Sequence, residues 1–81
     1  MIVYGSMQCV DCVECREAYD AEQMNYRFRN IDKNLVFLKE FLALRDRDSA
    51  FDTVKQKGAI GIPRISNADD SVTLYWESQL P

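Results

Sequence analysis

Three cysteines, Cys9, Cys12 and Cys15, crowd into seven positions of an 81-residue chain that contains no histidine. The missing imidazole removes Cys–His proteolysis, His-ligated catalytic zinc and histidine general bases together. Any activated cysteine must therefore draw on backbone dipoles or on charge. Cys9-Val10-Asp11-Cys12 is a C-x-x-C pair. Two thiols at that spacing where a helix begins can close a disulfide, because the first is not yet helical and turns its side chain inward. The pair then forms a dithiol that is oxidised and reduced reversibly; the plainer reading is two small apolar residues of a core. A sulfur at a helix N-terminus sits among free backbone N–H groups, which favour a thiolate. Asp11 opposes this, since a carboxylate beside a thiolate disfavours the charged sulfur, though it also suits a first helical turn against the macrodipole. Cys15 shares a helical stripe with Cys12 and Tyr19, which suits a buried, inert thiol. The sharper reading of C-x-x-C-x-x-C is an iron–sulfur site, whose fourth cysteine this chain lacks.

The elements that must hold these residues follow from the pattern. Ile2 to Tyr4 is a short apolar run closed by Gly5-Ser6, as in a strand buried on both faces. Val10 to about Met24 carries helix formers without Gly or Pro, so a helix opens at the cysteines. Tyr26 to Ile31 begins with alternation of period two and reads as a second strand. Asn34 suits the cap of a helix with Leu35, Leu38, Phe41 and Leu42 on its apolar stripe, widened by Phe37 and Leu44. The charged run Arg45-Asp46-Arg47-Asp48 breaks that stripe, Asp48 or Ser49 suits a fresh cap, and Gly58 suits a left-handed end, so a split helical region to about Lys57 is expected. Ile60 to Ser66 and Val72 to Trp76, joined by Asn67-Ala68-Asp69-Asp70-Ser71, read as an antiparallel hairpin. A βαβ unit followed by a hairpin predicts an α/β domain over 1–81, with a four-stranded mixed sheet and helices on its faces.

Gly61-Ile62-Pro63 is the second chemical signal. A proline opening a strand lacks only an N–H that the position does not need, and the X-Pro bond has a cis option. Together, the C-x-x-C at the head of the first helix and this apolar-Pro segment make the chain resemble the glutaredoxins, with the element order matching over nearly the whole length. The resemblance implies a thioredoxin-like fold. It implies that Cys9 attacks disulfides or glutathione mixed disulfides, that Cys12 releases the product, and that Pro63 is cis and packs against the dithiol. It makes Ile62 the residue whose backbone pairs with substrate, with Val10 and Asp11 beside it. The family's Gly-Gly and following Asp, which hold glutathione, align with Asn67 to Ser71; no glycine stands there, and Asp69 and Asp70 are the candidates to replace part of that contact. The family ends in a helix for which Pro81 leaves little room, so that element is expected to be short or absent. No bound cofactor is implied, and glutathione is a possible co-substrate.

Three functional readings follow. The first is a dithiol oxidoreductase of protein or glutathione mixed disulfides. The second is an electron-donor redoxin fed by a flavin-dependent, thioredoxin-reductase-type enzyme, favoured by the missing Gly-Gly. The third is an iron–sulfur carrier, favoured by Cys15 and by a cluster shared between chains, as in some glutaredoxins. Other partners are excluded by charge and composition. A net charge of −3 with signs interspersed offers no basic stripe to nucleic acid. The first residues lack a basic export signal and no apolar stretch approaches a membrane span, so a cytoplasmic monomer is expected. Arg64, after the proline, reads as a solvated strand-end charge or as a contact for an anionic substrate. Tyr75 and Trp76 read as a cover for the sheet or as a docking surface.

Overall fold

In the computed structural model, which describes Met1–Pro81, the apolar run at the start of the chain becomes β1 (Ile2–Gly5), an interior strand. It pairs in parallel with β2 (Arg27–Asn30) and antiparallel with β3 (Arg64–Ser66), and β3 pairs antiparallel with β4 (Val72–Thr73). The sheet order is β2-β1-β3-β4. Parallel pairing requires a crossover, and α1 (Val10–Ala21) supplies it. The result is an α/β fold with a four-stranded mixed sheet, one parallel pair and three α-helices.

Alternation along β1 divides the interior in two. Val3 packs with Cys15, Tyr19 and Ile65 on the face covered by α1. Tyr4 packs with Ile31, Phe41 and Phe51 on the other. That second face is covered by α2 (Leu35–Arg47), a 3-10 turn at Ser49–Phe51 and α3 (Asp52–Gln56). Asn34 caps α2 as expected, its Oδ1 accepting from the Phe37 N–H at 3.2 Å. The anticipated break falls at Asp48, which is extended and ends α2. Its carboxylate accepts from the Ala50 N–H at 3.0 Å, and its Oδ2 lies 3.4 Å from Arg64 Nη2. One side chain thus starts the next turn and ties it to β3. Gly58 follows α3 with φ +71, the left-handed end foreseen for it.

Several boundaries differ from the pattern-based reading. The first helix stops at Ala21, and Gln23, with φ 54, turns the chain toward β2. Leu35 and Leu42 remain 65% and 43% exposed, so the buried stripe of α2 is narrower than its composition implies. The segment 60–63 lies outside the sheet, because Pro63 has no N–H to donate and Gly61 takes φ +90. The last strand ends at Thr73, after which a 3-10 turn (Trp76–Gln79) folds back over the α1 face. There the Trp76 ring meets Tyr19 edge-on at 6.2 Å, and the Tyr19 hydroxyl donates to the Trp76 carbonyl at 2.7 Å. This short segment and Leu80 pack against the core on that face. No helix is long and apolar enough to cross a membrane.

Candidate active site

The turn between β1 and α1 pins Cys9. Ser6 is buried; its carbonyl accepts from the Cys9 N–H at 3.1 Å and its Oγ from the Gln8 N–H at 3.0 Å. The same hydroxyl donates to the Asp32 carboxylate. Cys9 is the N-cap of α1, extended at φ −100 and ψ 122, and its carbonyl accepts the first helical bond from Val13 at 3.1 Å. Its side chain makes no capping hydrogen bond, which leaves the sulfur half-buried and available at the positive end of the helix.

Cys12, one turn on, is fully buried. Burial is the main reason its thiol is pushed up to about 12; the neighbouring Cys9 adds to the rise, while a hydrogen bond from the Ser6 backbone works against it. Cys12 is therefore a thiol at neutral pH. Its sulfur reaches the strand only because residue 5 is glycine: a Cβ there would lie 2.9 Å from Cys12 Sγ and 3.0 Å from the Phe28 ring. Cys15 is equally buried, among Val3, Tyr19 and Ile65, and burial raises its thiol to about 11, with the Tyr19 hydroxyl partly offsetting the rise. All three cysteines are free thiols, and no three His, Cys, Asp or Glu side chains gather where a metal ion could be held. Cys15 belongs to the core.

Two clefts flank the start of α1. Cys9, Asp32, Leu38, Ile60 and Ile62 line one of about 400 Å³. Asp11, Lys57, Gly61, Ile62, Leu74 and Tyr75 line the other, of about 600 Å³. Ile62 is their common wall. The Ile62–Pro63 bond is cis and Pro63 is buried, whereas the Ile62 backbone makes no main-chain hydrogen bond to the rest of the chain. Val10 is 72% exposed and Asp11 is also on the surface. Cys9, Cys12, Val10, Asp11 and Ile62 are thus gathered at one end of the sheet. Asp69 and Asp70 are not. They occupy the β3–β4 turn, where the Asp69 carboxylate accepts from the Ser71 N–H at 3.0 Å and is held below the usual carboxylate range by its bonds to Ser71. Asp70 takes φ +68, and neither residue lines a cleft beside Cys9.

Arg64 is not solvated at the strand end; it is 4% exposed. Its guanidinium lies 5.9 Å from the Tyr4 and Phe51 ring centres, bonds Ser66 Oγ and pairs with Asp48, while Nε finds no partner. Sequence reasoning passed over Ser6 and Asp32. The signal lay in the parallel pairing: Gly5 is in register with Asn30, so residues just past the two strand ends must meet. Carboxyl ends of parallel strands are where α/β folds gather functional groups.

Comparison with protein-family models, with curated proteins and with solved structures yields no match to this chain.

Proposed function

We propose that this chain is a thiol–disulfide oxidoreductase of thioredoxin-like architecture, working through Cys9 and Cys12 in the manner of a glutaredoxin. The observation that carries the reading is the half-buried Cys9 sulfur at the helix N-cap, open to a cleft and backed by a buried, protonated Cys12. The Cys9 thiolate attacks one sulfur of R–S–S–R. That bond breaks, one RS⁻ leaves and takes a proton from water, and a Cys9–S–S–R mixed disulfide forms. Cys9 then carries no charge, so its share of the upward push on Cys12 is gone. Cys12 gives up its proton and attacks the Cys9 sulfur, and the second thiol departs as RSH. Two electrons pass from the pair to the substrate, with one proton from Cys12 and one from water, leaving Cys9–Cys12 oxidised until an external thiol or a flavin-dependent reductase restores it. In this reading the Ile62 backbone, which has no main-chain partner, bonds an extended substrate segment.

Cys9→Ser removes turnover of a small disulfide in this reading, and Cys12→Ser accumulates a mixed disulfide whose extra mass maps to Cys9. Retained turnover in Cys9→Ser ends it. A reductase-fed redoxin is the second reading, favoured by the position of Asp69 and Asp70 away from the cleft that would hold glutathione. Regeneration by glutathione alone, against regeneration by NADPH with a thioredoxin-reductase-type enzyme, separates the two.

A further inference from the structure

Asp32 is the one charged residue that lines the Cys9 cleft. It stands just past β2, and two bonds fix it: its carboxylate accepts from the buried Ser6 hydroxyl, and its N–H donates to Asn30 Oδ1 at 3.2 Å. Ser6 is itself part of the turn that seats Cys9. Asp32 is exposed to solvent, yet its carboxylate is held by the Ser6 hydroxyl and lines the same cleft as Cys9. No lysine or arginine balances it within the cleft. Arg45, in the adjoining cleft that shares Leu38 and Ile60, is bound to the Ala59 and Ile60 carbonyls at 2.6 and 2.8 Å. On the opposite side of Ile62, the larger cleft is lined by a charge of each sign, Asp11 and Lys57.

We propose that Asp32 selects substrates by charge, favouring disulfides with a positive group close to the reactive sulfur and disfavouring anionic ones. The inference rests on the oxidoreductase reading. A fixed charge in a cleft focuses its field on an incoming ligand, and the interaction changes sign with the ligand's charge. The matching substrate is a cysteine in an extended, apolar stretch with a neighbouring lysine or arginine: the apolar side chains meet Leu38 and Ile60, and the cation meets Asp32. A disulfide carrying several carboxylates, as oxidised glutathione does, meets repulsion at that position.

The test uses three small disulfides with the reduced protein at low ionic strength: cystamine as cation, 2-hydroxyethyl disulfide as neutral probe and dithiodiglycolate as anion. Each rate with Asp32→Asn is divided by the rate of the same disulfide with the unaltered chain, so that intrinsic reactivity cancels. Asparagine keeps an oxygen to accept from Ser6. The normalised rate should fall for cystamine and rise for dithiodiglycolate, their ratio changing about fivefold or more, with the neutral probe between them. Asp32→Lys should extend the trend, and 0.5 M salt should shrink it. If all three rates change by one common factor, Asp32 acts through Cys9 itself and charge selection is refuted; if none changes, it is likewise refuted. If the unaltered chain reduces none of the three, the oxidoreductase reading falls first.

Discussion

Raising the pH from 7 to 10 under reducing conditions should weaken the fold by about 3 kcal/mol, because two buried thiols keep their protons in the native state. Cys12 and Cys15 are raised from the ordinary thiol value of 9.0 to about 12 and about 11. Between pH 9 and pH 11 the native chain thus holds two protons that the unfolded chain releases, so stability falls as pH rises. Each pH unit above 9 removes about 1.4 kcal/mol per thiol, or about 2.8 kcal/mol for the pair at pH 10. Below pH 9 both states are protonated and these groups contribute no slope. The Cys15 contribution levels off near pH 11 and that of Cys12 near pH 12. Against a total of roughly 4–12 kcal/mol for a domain of this length, the loss is easily measured. Urea midpoints collected from pH 7.5 to 10.5 in the presence of a reductant give the slope. Cys15→Ala should start less stable, through lost packing around Val3 and Ile65, yet show about half the dependence on pH. A midpoint that stays level to pH 10, or a slope that Cys15→Ala leaves intact, would refute the reasoning.

Gly61→Ala should destabilise by about 2 kcal/mol or more in thermal or urea unfolding, since residue 61 has φ +90 and a new Cβ would lie 2.6 Å from the Phe51 ring. Gly58→Ala, at φ +71 with nothing within 4 Å, should lose less, and equal losses would show that the Phe51 contact is unimportant. Tyr19→Phe deletes the donor to the Trp76 carbonyl and should lower unfolding stability by about 1–2 kcal/mol, with faster amide exchange in the Trp76–Gln79 turn. Unaltered exchange in that turn would detach the hydroxyl from its anchoring role.

The parts of this fold that could be read in advance are those where one local rule acts alone. Ile2 to Tyr4 has no competing signal, and Asn34 has a helix to cap and nothing else to do. The break at Asp48 was marked by four alternating charges that no buried helical face accepts. Strand lengths escaped because they are decided by pairing rather than by propensity. Ile60 and Ile62 have β-rich side chains, yet Gly61 and Pro63 place their backbone where no strand pairs with it, the Ile60 carbonyl accepting from Arg45 instead. Leu74, Tyr75 and Trp76 look equally β-like, but the α1 face offers Trp76 a ring partner and a hydroxyl donor in Tyr19, and tertiary packing prevails. At the site, the cysteines and Ile62 announce themselves by motif. Asp69 and Asp70 were drawn in by alignment of a turn, and the hairpin keeps them apart from the cleft. Ser6 and Asp32 lie 26 positions apart and carry no motif, so only the register of two parallel strands unites them.

The first strand of the sheet in chain order is one of its two inner strands. Ile2 pairs with Ser66, so the second edge of β1 stays open until the chain folds back through β3. On the α1 face Cys15 is covered by Val3 and Tyr19 and, from β3, by Ile65, with Trp76 packed against the same cluster. The burial that separates Cys15 from Cys9 thus draws partly on residues fifty or more positions downstream, whereas Cys12 is shut away against Gly5.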